Sequence, residues 1–129
     1  MKLAVGIDLV MVSRIASSLE HFGQRFLRRI FTDGEIAYAM ASPALTLERL
    51  AARFAAKEAA MKALGLAGRG VGWRQIEVTT SESGAPGLQL HGEALALAAG
   101  AVDLALSLSH EGDFATAIVV THIQPSPTR

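Results

Sequence analysis

The sequence predicts an α+β protein in which helices pack on a mostly antiparallel sheet. Residues 46–64 form a long run of good helix formers that ends at a glycine, and shorter helical signals precede it. Beyond residue 72 the chain changes character, and short apolar segments alternate with turn residues, as in strands. No repeat or long linker interrupts the chain, so we expect one domain over residues 1–122 and a frayed tail over residues 123–129.

The opening segments predict a strand followed by two helical pieces. Residues 3–10 are typical of a short buried strand that stops at Asp8 or soon after it. Ser13 is placed to cap a helix, and Gly23 is placed to end that helix. Residues 26–31 predict a further helical piece.

The middle of the chain predicts two helices with clear ends. Residues 32–35, Thr-Asp-Gly-Glu, form a capping box in which two side chains satisfy free backbone N–H groups at a helix start. The helix that follows is predicted over residues 33–41. Residues 42–43, Ser-Pro, predict a turn or a helix start. Residues 46–64 predict the longest helix, which Gly65 terminates.

The second half predicts four strands and one small helix. A glycine-rich loop over residues 68–72 leads into it, and the last two strands alternate in a way typical of a hairpin. The predicted strands cover residues 73–80, 87–90, 102–109 and 114–122, with the helix over residues 93–99 and the hairpin turn over residues 110–113.

Composition excludes several classes of function. The 12 Lys and Arg balance the 12 Asp and Glu, so the chain lacks the basic excess of a general nucleic-acid or anionic-membrane binder. The absence of cysteine excludes a disulfide, a thiol nucleophile and a Cys-ligated zinc, and it fits a reducing cytoplasm. No apolar stretch reaches the roughly 20 residues of a membrane span, and no signal peptide is evident.

Three charged residues could carry chemistry. Asp8 stands at the end of an apolar strand, where an unpaired charge is costly to bury. Glu58 and Lys62 are four residues apart on the longest helix, which places them on one face within reach of each other. Each also has a purely structural explanation: a strand-end or capping carboxylate for Asp8, and a surface ion pair for the other two.

Together, these residues suit a magnesium-dependent phosphoryl transfer. Mg²⁺ takes oxygen ligands, usually one or two protein carboxylates with waters and substrate phosphates. Asp8 and Glu58 could supply the carboxylates, and Lys62 could lie on a phosphate that the metal also contacts. Phosphoryl transfer requires mainly positioning and neutralisation of developing charge. The hypothesis depends on Asp8 meeting Glu58 in space.

Other polar groups form weaker patterns. Ser109 and His110, at the predicted hairpin turn, could donate hydrogen bonds to phosphate oxygens or simply stabilise the turn. A hydrolase centred on these two residues would lack the G-x-S-x-G elbow. Arg25, Arg28 and Arg29 form a basic cluster that is either a solvated helix face or a dock for an acidic protein partner.

Five motifs occur together in one order along the chain. They are Gly6-Ile-Asp-Leu-Val10, Arg14-Ile15, Phe26-x-x-Arg-Ile-Phe-Thr32-x-x-Glu35, Arg53-Phe-Ala-Ala-Lys-Glu-Ala59 with Lys62, and Ser107-Leu-Ser-His110. This set resembles the holo-acyl-carrier-protein synthases, the small trimeric branch of the phosphopantetheinyl transferases. The resemblance covers nearly the whole chain, from Lys2 to about Thr121.

The resemblance implies a fold and a metal site. The fold is the α+β fold of the 4'-phosphopantetheinyl transferases, in a homotrimer whose active sites lie at subunit interfaces. By resemblance, Asp8 and Glu58 bind Mg²⁺, and Lys62 contacts a phosphate of coenzyme A. Gly65 matches the glycine that ends the helix beside the nucleotide.

The resemblance also implies residues for the nucleotide and for the carrier protein. Arg53 matches an arginine associated with the nucleotide, and helical geometry puts it well away from the metal-binding face. Ser109 and His110 match a turn that reaches coenzyme A from a neighbouring subunit. Arg14 matches an arginine that grips an acidic helix of the carrier protein, and we expect Arg25 at the same dock.

The implied activity is direct transfer of 4'-phosphopantetheine from coenzyme A to a serine of apo acyl carrier protein, which serves fatty acid biosynthesis. The serine hydroxyl, deprotonated by Glu58 or by a metal-linked water, attacks the phosphorus that bears the pantetheine, and adenosine 3',5'-bisphosphate leaves. Two alternatives stay open. One is a non-catalytic oligomeric domain that binds a nucleotide or an acidic protein helix, and the other is a hydrolase centred on Ser109 and His110.

Overall fold

The computed structural model describes residues 1–124, apart from the side chain of Val102, and it confirms the α+β architecture. Residues 125–129, most of the tail predicted to fray, lie outside the described part. The strands are β1 (Lys2–Met11), β2 (Ile76–Thr80), β3 (Pro86–Leu90), β4 (Ala101–Glu111) and β5 (Phe114–Ile123). The helices are α1 (Val12–Phe22), α2 (Gln24–Ile30), α3 (Asp33–Met40), α4 (Thr46–Leu64) and α5 (Gly92–Leu97). No helix in this part of the chain combines the length and the apolarity that a bilayer crossing requires.

The strands form two antiparallel sheets. β5 lies between β1 and β4 in a three-stranded sheet, and β2 pairs with β3 in a two-stranded sheet. The predicted hairpin of β4 and β5 is confirmed, but only Gly112 and Asp113 connect its strands. Gly112 has a φ of 55°, so the tight two-residue turn suits the strand twist. His110 therefore lies in β4 opposite Ala115, and the prediction that placed it in the turn is wrong.

The core lies between the three-stranded sheet and α4, whose predicted bounds are confirmed. The buried side of this helix is slim, because Ala55, Ala56, Ala59 and Ala60 are all fully buried there. Gly65 ends the helix in the left-handed conformation, with a φ of 64°. The alanines let the sheet approach the helix backbone closely.

β1 differs from its prediction in both length and burial. It continues past Asp8 to Met11, and its odd-numbered apolar side chains are exposed. Because side chains alternate along a strand, Asp8 and Val10 face α4 while these residues face away from it. We call the exposed surface the open sheet face; it consists of Leu3, Val5, Ile7 and Leu9, each between 59% and 62% exposed, with Ile118 of β5 opposite Ile7. Within residues 1–124, no other part of the chain covers the open sheet face.

The start of α1 is capped from the far end of the chain. The prediction that Ser13 is the N-cap is wrong, because Met11 holds that position and offers no side-chain cap. Instead, the Asp113 carboxylate accepts hydrogen bonds from the Ser13 backbone N–H at 2.9 Å and from the Ser13 hydroxyl at 2.6 Å. The Asp113 carbonyl accepts from the Val12 N–H at 2.7 Å. The β4–β5 turn thus satisfies the free N–H groups of a distant helix.

A buried ion pair fastens α4 to α3 and β2. Lys57 Nζ lies 2.8 Å from Glu35 Oε1, and neither side chain is exposed. Lys57 also donates to the Ile76 carbonyl at 2.6 Å. Glu35 accepts from the Thr32 N–H at 2.8 Å, which confirms the predicted capping box, and from the Val78 N–H at 2.7 Å. Each buried charge therefore has several partners, as burial of a charge requires.

The remaining differences concern the ends of elements. Residues 73–75 form a 3-10 turn rather than the start of a strand, and the Trp73 carbonyl accepts from Lys57 Nζ at 3.1 Å. α5 is shorter than predicted. β5 extends one residue into the predicted tail, because Ile123 pairs with Lys2 at the edge of the sheet.

Candidate active site

Asp8, Glu58 and Lys62 come together where β1 lies on α4. Lys62 Nζ is 3.1 Å from Asp8 Oδ1, and it donates to the Ile7 carbonyl at 2.8 Å. The Asp8 side chain is 20% exposed and the Lys62 side chain 54% exposed, so the pair opens to solvent. The lysine ammonium is thereby held over the end of the strand.

The Glu58 carboxyl group is influenced by the charges of both Asp8 and Lys62. Burial raises the pKa of Glu58, the negative charge of Asp8 raises it further, and the positive charge of Lys62 opposes both. A carboxylate whose charge is disfavoured by its surroundings binds a cation or a proton more readily than an exposed one. The charges of the two acids therefore interact, and the direct contact in the structure is between Asp8 and Lys62.

A glycine makes this contact possible. A Cβ atom at Gly6 would overlap the Ala59 carbonyl oxygen and would lie 2.8 Å from the Ala63 backbone nitrogen. Gly6 and Asp8 point to the same side of β1 because strand side chains alternate. The close contact at Gly6 therefore brings Asp8 against the last turns of the helix. The Thr116 hydroxyl also donates to the Asp8 carbonyl at 2.7 Å, which holds the strand from its other side.

The donor set at this point suits Mg²⁺. A cavity of about 470 Å³ beside Asp8 is lined by Ile7, Asp8, Leu9, Lys62 and Thr116. Within residues 1–124, no three His, Cys, Asp or Glu side chains gather into a complete metal cage. Mg²⁺ usually takes only one or two protein carboxylates and completes its octahedron with waters and substrate phosphates. The two acids therefore fit a magnesium ion that arrives with a phosphate ligand.

Arg53, Ser109 and His110 form a second group on another side of α4. They line a cavity of about 250 Å³, which we call the arginine cavity; its other lining residues are Tyr38, Leu45, Glu48, Arg49, Ala52 and Leu108. Arg53 is only 5% exposed, and its Nη2 donates to the Thr80 hydroxyl at 3.1 Å. His110 Nδ1 lies 3.9 Å from Glu48 Oε2, beyond hydrogen-bond reach.

The two groups do not meet on one chain. Helical geometry separates Arg53 from Glu58 by about 140° around the axis and about 7.5 Å along it. The cavity beside Asp8 and the arginine cavity share no lining residue. The structure thus brings Asp8 and Lys62 together, with Glu58 one turn earlier on the same helix, and it gathers Arg53, Ser109 and His110 in another place.

The remaining predicted site residues lie at the edges of these groups. Gly65 follows Lys62 at the end of α4, and its N–H approaches the Lys62 carbonyl at 3.4 Å. Arg14 is exposed on α1. Arg25 helps line a third cavity, of about 450 Å³, between α1, α2 and the 3-10 turn at Trp73. Phe22 and Phe26 supply much of its apolar wall.

The structure also identifies residues that sequence reasoning missed. Tyr38 and Arg49 belong to the arginine cavity. The spacing of four between Arg49 and Arg53 could have indicated a shared helix face, but nothing in the sequence signals Tyr38. Lys57, within the F-A-A-K-E-A block, is fully buried, which its alanine neighbours could have indicated.

The geometry disfavours a hydrolase centred on Ser109 and His110. A serine nucleophile needs a base within about 2.6–3.2 Å. No hydrogen bond joins Ser109 to His110 among the described residues, and the carboxylate nearest to His110 is the Glu48 group at 3.9 Å. The pair therefore lacks the chain of hydrogen bonds that activates a hydroxyl.

Three comparisons agree with one another. A model of the 4'-phosphopantetheinyl transferase superfamily matches residues 4–119. The chain is 49% identical over 123 residues to the holo-[acyl-carrier-protein] synthase of Koribacter versatilis, covering 93% of this chain and 98% of that protein. It superposes on an ACPS–CoA complex of Chronobacterium ammoniagenes with a TM-score of 0.84 and 36% identity, covering 97% and 100% of the two chains. Holo-[acyl-carrier-protein] synthase of Helicobacter pylori in complex with coenzyme A gives a TM-score of 0.81 and 31% identity, covering 92% of this chain and 99% of that one.

Proposed function

Since this chain belongs to the 4'-phosphopantetheinyl transferase superfamily and is a phosphopantetheinyl transferase, we propose that it transfers 4'-phosphopantetheine from coenzyme A to a serine of apo acyl carrier protein in a Mg²⁺-dependent reaction. The observation that supports this proposal is the contact of Asp8 in β1 with Lys62 in α4, on a helix that also carries Glu58, whose pKa is raised in part by the charge of Asp8. The transferase domain in this proposal covers residues 1–122. Its relatives named as holo-[acyl-carrier-protein] synthases support the choice of coenzyme A and carrier protein as substrates.

Asp8 and Glu58 would hold the metal. When bound, Mg²⁺ supplies positive charge to the diphosphate oxygens of coenzyme A. Lys62, anchored by the Ile7 carbonyl and by Asp8, is positioned to neutralise a phosphate oxygen beside these carboxylates. Positioning and neutralisation are the main demands of phosphoryl transfer, and this group of residues meets them.

The chemical step is a single displacement at phosphorus. The hydroxyl oxygen of the carrier serine forms a bond to the phosphorus that bears the pantetheine. The bond from that phosphorus to the bridging oxygen breaks, and its electron pair leaves with adenosine 3',5'-bisphosphate. Glu58, on the same face of α4 as Lys62, accepts the serine proton.

The nucleotide site combines two chains. Arg53, Ser109 and His110 of one subunit bind the nucleotide part of coenzyme A, and Gly65 lies beside it at the end of a neighbour's α4. The separation of the two groups of residues on a single chain supports this arrangement. The open sheet face, an exposed apolar surface on a short chain, supports assembly into a homotrimer because such surfaces mark interfaces.

The carrier protein docks on α1 and α2. Arg14 and Arg25 are exposed there and offer positive charge to an acidic helix of the carrier. Phe22 and Phe26 add an apolar wall to the cavity that Arg25 lines. This surface combines charge and apolar area, which suits a partner that must dock briefly and leave. The reaction serves fatty acid biosynthesis in the cytoplasm.

A mass measurement tests the proposed function. Apo carrier protein incubated with coenzyme A, Mg²⁺ and the enzyme gains one phosphopantetheine, with release of one adenosine 3',5'-bisphosphate. Glu58→Gln lowers the rate by about 100-fold or more because it removes the proton acceptor and a metal ligand. Glu82→Gln, in an exposed turn, is the matched control and keeps normal activity.

Three outcomes would contradict this proposal. Coenzyme A turnover without carrier protein would favour a hydrolase. Nucleotide binding without any mass gain would favour a non-catalytic binding domain. Near-normal transfer by Glu58→Gln, with its circular dichroism unchanged, would remove Glu58 from the chemistry.

A further inference from the structure

Two arginines of α4 share the ring of one tyrosine. The guanidinium carbon of Arg49 lies 4.1 Å from the centroid of the Tyr38 ring, and that of Arg53 lies 4.4 Å from it. Both distances are within the range of a cation–π interaction. Arg49 Nη1 also donates to the Tyr38 carbonyl at 2.8 Å, and Arg53 Nη1 approaches the Arg49 carbonyl at 3.4 Å. The ring and the helix thus hold two like charges close together.

No carboxylate lies within ion-pair distance of Arg49 or Arg53 in the described part of the chain, and Glu48, which also lines the cavity, is nearest to His110, at 3.9 Å. Neither Arg49 nor Arg53 takes part in an ion pair among residues 1–124. Burial lowers the pKa of Arg53, Tyr38 and Glu35 oppose that effect, and the charge of Arg49 lowers it again. Arg53 nevertheless remains charged at any ordinary pH. An uncompensated buried charge is costly, so the site favours an anion from outside.

Part of the Arg53 guanidinium is left without a partner. Arg53 is 95% buried, at 5% exposure, and its Nε has no hydrogen-bond partner although it is fully buried. A buried donor that lacks an acceptor is rare in a folded protein and often marks a site that a ligand completes. Arg49 and Arg53 both line the arginine cavity, together with Ser109 and His110. The cavity thus carries two guanidinium groups against one carboxylate, that of Glu48.

We propose that Arg49 is a second phosphate-binding cation of the nucleotide site, and that Tyr38 is a positioning residue that holds Arg49 and Arg53 as a pair. The ligand is a phosphate group of the nucleotide, since planar guanidinium groups match phosphate oxygens in charge and geometry. The inference rests on the proposed function only for the identity of that nucleotide. The pairing itself follows from the contacts of Tyr38.

Arg49→Met tests the second cation. The substitution keeps an unbranched apolar stem against the ring and removes the charge. We expect the Kd for adenosine 3',5'-bisphosphate, measured by titration calorimetry, and the KM for coenzyme A to rise about tenfold, as loss of one charge-assisted hydrogen bond implies. The kcat should change less than about twofold, because the reacting phosphorus lies with Asp8 and Glu58. The Tm of the ligand-free protein measures the structural effect separately, because the substitution removes both a like-charge repulsion and the hydrogen bond to the Tyr38 carbonyl.

A matched set of variants separates charge from packing. Arg49→Lys keeps the charge and should recover part of the affinity. Arg74→Met removes an exposed arginine outside the cavity, paired with Asp33 at 3.5 Å, and should leave both constants unchanged. Tyr38→Phe keeps the ring and should stay within about twofold of normal, whereas Tyr38→Leu removes the ring and should raise the KM for coenzyme A about tenfold.

Several results would overturn this inference. An unchanged Kd in Arg49→Met, or a lower Tm of that variant without any change in Kd, would make Arg49 a purely structural residue. Equal effects of Tyr38→Phe and Tyr38→Leu would exclude the ring as the positioning group. If the unmodified protein does not bind adenosine 3',5'-bisphosphate, the arginine cavity is not a nucleotide site. If the protein binds the nucleotide through Arg49 but never modifies carrier protein, the proposed function is refuted and this inference is supported.

Discussion

Lys57 is the residue whose role departs most from what its position implies. It stands between Arg53 and Glu58 in the helix that carries both candidate groups, yet its ammonium is fully buried against Glu35. We predict that Lys57→Met lowers the free energy of unfolding by roughly 3–5 kcal/mol, because Glu35 keeps a buried charge without its partner. Urea denaturation followed by circular dichroism measures the change.

The adjacent position supplies the control for that measurement. Glu58→Gln alters a half-buried side chain and should change the free energy of unfolding by about 1 kcal/mol or less. A loss below about 1 kcal/mol in Lys57→Met would mean that Glu35 finds other partners or takes up a proton.

A second acid provides a pH prediction. Burial tends to raise the pKa of Glu77, but hydrogen bonds from Thr32 and His91, with the charges of His91 and Lys57, outweigh it and lower the pKa below its ordinary value of 4.5. A lowered folded-state pKa gives stability that is present above about pH 4.5 and is lost as the pH falls through the folded-state value.

Glu77→Gln should therefore be less stable than the unmodified protein at pH 7, and the difference should shrink as the pH falls below about 4.5. Urea unfolding at a series of pH values between 7 and 3.5 measures both curves. Glu82→Gln, in an exposed turn, controls for the general loss of a negative charge. A difference that is constant with pH would mean that Glu77 acts only through packing.

At the residue scale, the sequence predicted contacts within one helix better than contacts between elements. The spacing of four predicted that Glu58 and Lys62 share a helix face, whereas the approach of Asp8 to this face was only a hypothesis; the structure shows Asp8 in contact with Lys62, because Gly6 allows β1 to touch the helix backbone. No rule based on residue spacing predicts this contact between β1 and α4, because it depends on the lack of a side chain at Gly6. The same limit explains Tyr38, which reaches Arg53 only through the packing of α3 on α4.

At the scale of elements, the first helix depends on the last turn of the sheet. Asp113 accepts two hydrogen bonds from Ser13 and so replaces a local cap. We predict that Asp113→Ala destabilises the protein by about 1 kcal/mol, the usual effect of losing a capping side chain. It should also raise the KM for carrier protein more than the KM for coenzyme A, because α1 carries Arg14.

Unfolding and steady-state kinetics of Asp113→Ala and Glu111→Ala provide the comparison. Glu111 is exposed two residues away and makes no described side-chain contact with α1. If both variants behave alike, the cap contributes nothing to the position of the helix.

Elements were predictable where their signals are local. The bounds of α4, the capping box of α3 and the glycine ends of α1 and α4 depend on residues a few positions apart, and all are confirmed. The burial of β1 was not predictable in this way. An apolar strand suits a buried position equally well whether its cover comes from its own chain or from another, and alternation alone does not say which.

At the scale of the whole molecule, the separation of two residue groups leads to a mixing prediction. Glu58→Gln and Arg53→Gln should each be inactive alone, because each removes one of the two residue groups from every shared site. Subunits of the two variants, denatured and refolded together in equal amounts, should recover roughly a quarter of normal sites by random assembly. Activity that stays at the level of the single variants would mean that each chain builds its site alone.

The pairing of β1 with β5 has a consequence for synthesis on the ribosome. Among the described strands, β1 has one hydrogen-bonded neighbour, residues 114–123, so it stays unpaired until that distant stretch has been translated. The cap on α1 waits for the same stretch. Partners so distant along the chain slow folding, because the intervening loop must close first. The sheet therefore forms only after residues 114–123 have left the ribosome, and a chain that stops before them leaves β1, the strand that carries Asp8, unpaired.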